Sequence, residues 1–403
     1  MNLYPFQEAC VKYALAHHYS LNCCEMGLGK SRIALAAAKF SGNRLAVFGP
    51  AFLQSTWERE AVQAGMDFSY FPYSMLHKVK AREVKDFDFW VADECHYLKS
   101  PTANRTHAFY SMLKETLPEY FLGLTGTPIK NRAYDFWTLL AFCGLNPRGT
   151  SGQKLTGDLA KYRAFCRHFC ESSLMKVNGA RFEKFGAIKA EKIPEFKSLL
   201  TGKYIRFKVQ DVLKDLPEFT RKDVVLEGLR PDIELAEIFR EYMAGRKVDV
   251  TAKARSALLK SKATVAYLAE MRENGIDKAV IFSDHVDPVR VIALSLNDAA
   301  EITGATPMAE RQAAVEKFQR GELKYIVATI GAMSVGVTLT AANHVVFNDL
   351  SWVPSDNLQA EKRIHRIGQK VACFAHYIHA TPTDLHIQKT LEEKLCTIRA
   401  LIG

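Results

Sequence analysis

The sequence predicts an α/β protein: two parallel sheets, each covered by helices, joined by a helical basic insertion. Two observations carry this reading. Short apolar β-type runs alternate with helical patterns in the first 145 residues and again from about residue 279, the mark of parallel strands joined by crossover helices. Between these stretches lies a segment of different composition, opened by the breaker cluster Asn146-Pro147-Arg148-Gly149-Thr150-Ser151-Gly152. The expected division is 1–145, 146–223 and 224–403, consistent with 403 residues at about 150 residues per domain.

In the first segment the expected strands are Leu45–Phe48, Phe87–Ala92 and Tyr120–Leu124, and the expected helices Gln7–Ala16, Ser31–Phe40, Gln54–Ala64 and Ala103–Leu117. In the last segment, strands are expected at Ala279–Phe282, Tyr325–Ala328 and Val345–Phe347, preceded by a long helical stretch over about Asp232–Asn274. Residues 146–223 read as basic, aromatic-dotted helical pieces.

The chain carries 54 Lys+Arg against 44 Asp+Glu, a net +10, with 48% hydrophobic residues. That much apolar content excludes a disordered tail protein. No window approaches 18 uninterrupted apolar residues, which excludes a membrane helix, and Met1–Pro5 lacks the pattern of a secretory leader. Nine scattered cysteines then read as reduced thiols. Cys166-x3-Cys170 has no second pair, so a structural zinc site is not expected. Charge is concentrated: residues 146–223 hold 17 basic and 9 acidic residues, or +8 of the net +10. A polyanion path and a solvated helical surface explain that field equally well on charge alone.

Chemistry enters at Cys24-Glu25-Met26-Gly27-Leu28-Gly29-Lys30-Ser31, followed by the helix-forming Ile33–Ala38. Glycines let backbone N–H groups converge on a phosphate, and a helix N-terminus adds positive potential. Lys30 is the candidate to neutralise β- and γ-phosphates, and Ser31 offers a hydroxyl to Mg²⁺. The strict phosphate-loop pattern wants glycine where Cys24 stands, so alone the loop is as easily a glycine-rich turn. Asp93-Glu94 ends an apolar run, where parallel sheets bind ligands. Asp93 is the candidate Mg²⁺ ligand and Glu94 the residue to orient and deprotonate water. Thr125-Gly126-Thr127-Pro128 follows the next run, as a γ-phosphate sensor, a nucleic-acid contact or a plain turn. Late in the chain, Gln359 through Gln369 reads as helix, with Arg363 and Arg366 on one face. Paired arginines stabilise the charge that develops on a transferring phosphoryl group, although alone such a face is more often solvated.

In this order the pieces resemble the SNF2-like branch of superfamily 2 helicase-type motors, over nearly the whole chain. Leu3–Gln7 resembles the adenine-reading Q motif, Glu25–Ser31 motif I in its SNF2 form, Gly49–Glu60 motif Ia, Asp93–Lys99 motif II and Gly123–Pro128 motif III. Val280–Ser283 resembles motif IV, Ala328–Asn343 motif V and Gln359–Gln369 motif VI. Tyr204–Pro217 is similar to the family's segment joining the lobes. Cys24 replaces a usual acid, Cys95 a usual small residue and Lys362 a usual Asp. None of these changes a residue expected to touch Mg²⁺, phosphate or water.

The resemblance implies two RecA-like lobes and a DNA-dependent ATPase using ATP and Mg²⁺. Implied catalytic residues are Lys30, Glu94, Arg363 and Arg366. ATP contacts fall on Gln7, Met26, Gly27, Leu28, Gly29, Lys30, Ser31, Asp93, Gly336 and Gln359, and the metal on Ser31 and Asp93. The implied partner is double-stranded or branched DNA, with no membrane, and the motor reads as monomeric. The motif II wording is closer to the fork-remodelling, annealing subgroup than to nucleosome remodellers. A motor this stripped is expected in the cytoplasm, with the nucleoid of a bacterial or phage-infected cell. Alternatives are a strand-separating DNA or RNA helicase, an ATP-regulated DNA clamp, and a helicase–nuclease subunit, for which no spare carboxylate cluster is seen.

Overall fold

In the computed structural model, residues 2–402 are described apart from 131, 146–160, 178–179, 227–228, 230–235, 238–239, 241–249 and 334–336. Two compact units form, residues 1–213 with 394–403, and residues 214–393.

The first unit is a six-stranded parallel sheet in the order β3-β2-β4-β5-β1-β8. Its strands are β1 (Tyr19–Asn22), β2 (Leu45–Gly49), β3 (Phe68–Pro72), β4 (Phe89–Ala92), β5 (Tyr120–Leu124) and, further along the chain, β8 (Tyr204–Ile205). Around it run α1 (Pro5–His17), α2 (Lys30–Ser41), α3 (Gln54–Ala64), α4 (Asn104–Thr116) and α5 (Trp137–Cys143). β2 and β4 are buried along their whole length, which explains why they read as continuous apolar runs instead of alternating ones. Phe48 packs on Trp90 and Phe109 with ring centroids 4.7 and 5.1 Å apart, and Phe109 and Phe121 pack on Phe142. Leu401 and Ile402 belong to this same core.

The segment expected to be helical needs a correction. α6 (Tyr162–Phe169) and α7 (Ile193–Leu200) are helices, but an antiparallel hairpin, β6 (Cys170–Val177) with β7 (Ala180–Ile188), lies between them. The ladder pairs Ser172 with Phe185 and Leu174 with Glu183, and Arg167 grips the Glu183 carboxylate at 2.9 and 3.2 Å. Cross-strand pairing outweighs the mixed helical pattern of the charges. The breaker cluster 146–152 lies outside the described residues.

The second unit is also an all-parallel six-stranded sheet, in the order β11-β12-β10-β13-β14-β9. Its strands are β9 (Phe219–Val225), β10 (Ala279–Ser283), β11 (Ala299–Ile302), β12 (Tyr325–Thr329), β13 (His344–Phe347) and β14 (Cys373–His379). Residues alternate between two cores: Val280, Phe282, Ile326 and Ala328 on one face, Ile281, Val327 and Val346 on the other. The helices are α8 (Val250–Glu273), α9 (Val286–Leu294), α10 (Met308–Arg320), α11 (Pro354–Glu361) and the first half of α12 (Pro382–Ile402), whose residues from 394 on belong to the first unit. α8 is the described part of the long predicted helix, and it buries a polar stripe. Lys260 meets Asp384 at 2.5 Å, Lys253 pairs with Asp284, Ser256 with Thr381, and Thr264 with Asn348. Burying those ammonium groups is tolerable because each finds a carboxylate.

Candidate functional site

The glycine-rich loop joins β1 to α2. Gly27 and Gly29 take φ of +83° and +71°, values that favour glycine because a Cβ would crowd the backbone. At Gly29 a Cβ would also lie 2.7 Å from the Gln7 amide nitrogen. That amide is why: Gln7, buried on α1, donates to the Leu28 carbonyl at 3.1 Å, while its Oε1 accepts from the Tyr4 N–H at 3.0 Å. Lys30 Nζ donates to the carbonyls of Cys24 and Glu25 at 3.0 and 3.3 Å. Ser31 is the second residue of α2, and Leu28 is fully buried.

β4 delivers the acids. Asp93 Oδ2 accepts from Trp57 Nε1 at 2.7 Å, and Oδ1 from the Glu94 N–H at 2.8 Å. Burial, then the neighbouring Glu94 charge, pushes the Asp93 pKa up to about 7 against the pull of these donors and of Lys30. Glu94 itself adopts φ +46°, an uncommon conformation for a residue with a Cβ and one that concentrates at functional sites. Its Oε2 lies 3.2 Å from His96 Nδ1, which is also 3.2 Å from Thr125 Oγ1. Thr125 Oγ1 in turn accepts from the Thr127 N–H at 3.1 Å. Thus the loop after β5 is wired to Glu94 through a histidine. Gly126 closes the circle: a Cβ there would lie 2.8 Å from Met26 Cγ and 3.4 Å from Lys30 Nζ. The three predicted loops of this unit therefore meet at the carboxyl ends of β1, β4 and β5, where parallel sheets bind ligands.

The second unit holds the arginines, by other means. α11 ends at Glu361, so Arg363 and Arg366 stand on turns beyond it and not on a helix face as expected. Three-residue bonds tighten the backbone there, from the Arg363 N–H to Ala360 and from the Ile364 N–H to Glu361. Both guanidinium groups donate from Nη1 to one carbonyl, that of Val337, at 3.2 and 3.1 Å. Gln369 Nε2 clips Thr340, Ala342 and Ile364 carbonyls at 3.0–3.3 Å. Glu361, 1% exposed, receives Arg221 in two-pronged fashion at 2.9 and 2.6 Å and also the Tyr377 hydroxyl. His365 Nε2 lies 2.7 Å from the Pro217 carbonyl. Lys362, in place of the usual acid, lies 3.0 Å from His365 Nδ1 and over the Phe219 ring. Gln359 is buried on α11; Gly336 lies outside the described residues.

Comparison with known proteins now bears on these sites. The SNF2-related domain matches residues 50–272, more than half of the chain, and the helicase conserved C-terminal domain matches residues 260–368. The chain belongs to the SNF2-related family. This SNF2-related core is a two-lobed ATPase, and ATP is its nucleotide. It is 27% identical over 98% of its length to the Xenopus tropicalis SWI/SNF-related matrix-associated actin-dependent regulator of chromatin subfamily A-like protein 1, and covers 44% of that protein. It is 26% identical over 94% of its length to the Mus musculus DNA annealing helicase and endonuclease ZRANB3, covering 39% of it. The chain thus spans less than half the length of these curated relatives. A solved structure, the Sulfolobus solfataricus SWI2/SNF2 ATPase core in complex with dsDNA, is 21% identical over the whole chain and 93% of its own, with a TM-score of 0.44.

Sequence reasoning about the SNF2-related core missed Trp57, His96, Arg221, Glu361 and Tyr377 as supports of the site. Trp57 carried a weak signal, as a tryptophan among charged residues on α3. Arg221 carried none, because its partner is 140 residues away. No described helix is long and apolar enough to cross a membrane.

Proposed function

We propose that this core is an ATP-driven translocase on double-stranded or branched DNA, remodelling forks or junctions and annealing strands. The observation that carries the reading is the convergence of Lys30, Asp93, Glu94 and Thr125 at the strand ends of one sheet. Lys30 leaves its loop carbonyls to neutralise the β- and γ-phosphates, with the amides of Met26–Gly29 around them. Gln7 links the base to the loop through Leu28.

Asp93 suits a divalent cation. Its buried carboxylate accepts two N–H groups that leave its charge uncompensated, and its pKa is raised accordingly. Asp93 and Ser31 would hold Mg²⁺, which when bound neutralises charge on the phosphate oxygens. Glu94 orients the attacking water and takes its proton, and His96 reports its state to Thr125. Arg363 and Arg366 act as arginine fingers, with roughly 10³–10⁵ in rate resting on them. DNA contacts would be mainly to phosphate, hence sequence-tolerant and salt-sensitive. The +8 segment 146–223 is the candidate for an added grip or junction wedge. That one relative is a DNA annealing helicase supports the strand-annealing part of the reading.

The test is ATP hydrolysis with no DNA, single strand, duplex and a four-way junction, with Lys30→Ala as the blank. Stimulation by duplex or junction, absent from the variant, supports the reading. Stimulation only by single strands or RNA would replace it with a strand-separating helicase, and no turnover with any nucleic acid would leave a clamp.

A further inference from the structure

Two thiols meet where the nucleotide loop begins. Cys10 lies on α1, three residues after Gln7, and Cys24 is the first residue of the glycine-rich loop. Their sulfurs are 3.5 Å apart, both residues are buried, and both are free thiols. A disulfide has S–S of about 2.05 Å, so the sulfurs must approach by about 1.5 Å to bond. The same helix therefore touches the loop twice, through Gln7 on Leu28 and through Cys10 on Cys24. Cys24 is also where the Lys30 ammonium rests, on its carbonyl at 3.0 Å, and its N–H donates to Asn22 Oδ1 at 3.1 Å.

We propose that Cys10 and Cys24 are a reversible disulfide site that bolts α1 to the phosphate loop and switches nucleotide handling off. The proposal rests on the reading of that loop as the ATP site. The local field suits the chemistry. The contact with Cys10, together with the Phe207 backbone, Lys30 and Arg206, draws the Cys24 thiol below its usual range against its burial. Cys10 is correspondingly held protonated. Low-pKa thiols beside cations are the reactive ones once solvent reaches them; with Cys10 and Cys24 buried, oxidation proceeds through local opening of the loop. The oxidant is a peroxide. Cys24 thiolate attacks one oxygen of hydrogen peroxide, the O–O bond breaks, and hydroxide leaves as water, giving a sulfenic acid. Cys10 sulfur then attacks the Cys24 sulfur, the S–O bond breaks, and a second water leaves. Two thiols lose two electrons and two protons, and the peroxide is reduced to two waters; a dithiol reverses the reaction. With Cys24 tied to α1, its carbonyl is held in place under Lys30, and the loop loses the freedom to re-form around phosphates.

The experiment treats the full chain with hydrogen peroxide, blocks remaining thiols, and maps disulfides by mass spectrometry without reduction. Hydrogen exchange over residues 24–31 and ATP turnover are followed in parallel. The expected result is a Cys10–Cys24 linked peptide whose growth tracks slower exchange in the loop. A fall of about tenfold or more in kcat/KM for ATP should accompany it, with all three restored by dithiothreitol. Cys10→Ala, with Cys10→Ser as a second variant should the first fold poorly, should form no linked peptide and keep loop exchange fast through the same treatment, with Cys24 left as the sulfenic acid. Oxidation of the exposed Cys396 with no Cys10–Cys24 peptide would overturn the proposal, as would the linked peptide with unchanged loop exchange. Mapping and exchange need no turnover, so a chain that failed to hydrolyse ATP would sink the function reading while leaving this test intact.

Discussion

The loop site of the first unit and the arginine turn of the second are held in place in different ways. Around Lys30 the backbone conformation sets the site, with Gln7 and Trp57 as side-chain supports. Two glycines at positive φ, a strained Glu94 and close approaches at Gly29 and Gly126 leave little room for any Cβ. Around Arg363 and Arg366, side chains do it: Glu361 on Arg221, Gln369 on three carbonyls, His365 on Pro217. The first arrangement is sensitive to added atoms, and the second to removed ones.

Four experiments sharpen or break that contrast, from the largest expected effect down. Arg366→Ala should cut ATP turnover by about 10³ or more while fluorescent-nucleotide binding stays largely intact. Turnover near wild type would remove Arg366 from the finger role. Glu361→Gln strips the charge from a buried carboxylate whose partner Arg221 is half-exposed, and should cost about 1–3 kcal/mol of stability in chemical denaturation. It should also lower kcat with nucleotide affinity little changed. Arg221→Lys, which keeps the charge but not the two-pronged grip, should fall between it and wild type. If both variants match wild type, side-chain clips do not set the arginine turn. Gly29→Ala introduces both a positive-φ strain, about 1–2 kcal/mol, and a clash with Gln7; ATP affinity should weaken about tenfold by calorimetry. An unchanged affinity would mean that the loop relaxes freely, against the backbone account.

The last effect is pH-dependent. The folded pKa of Asp93, about 7, lies above its ordinary 3.8. From pH 4 to 7 the folded chain holds a proton that the unfolded chain has released, so this group erodes stability as pH rises, in full above 7. Asp93→Asn should therefore stabilise the metal-free protein at pH 8 and leave it little changed at pH 4. Metal needs the carboxylate, so Mg²⁺ affinity should weaken by up to about tenfold per unit below pH 7. A flat Mg²⁺ affinity from pH 6 to 8 would separate Asp93 from the metal.

The contrast also explains what could be read in advance. Glycines and adjacent acids after apolar runs are local patterns, so the phosphate loop, Asp93-Glu94 and most central strands were legible. The strands at or near sheet edges, β1, β3, β8, β9, β11 and β14, were not. They are short or half polar, and their identity comes from pairing with distant partners. The hairpin β6–β7 had a usable signal, because Asn178-Gly179 stands between its runs in the sequence. The high charge of the segment masked it. The arginine turn was misread as helix because the Val337 carbonyl, far off in sequence, takes both guanidinium groups, and the Gln369 amide folds back on Ile364 where a helix would continue. Trp57 on Asp93 is equally a tertiary fact.

The residence of Leu401 and Ile402 in the first unit's core has a practical consequence for dissecting this protein. Cutting the gene at residue 213 discards part of that core, so a fragment of the first unit alone would show a sticky apolar scar to solvent. Such a fragment should clump on purification. A synthetic peptide spanning 382–402, added back, should rescue it. Complementation by split halves, not simple truncation, is the way to study the nucleotide loop in isolation.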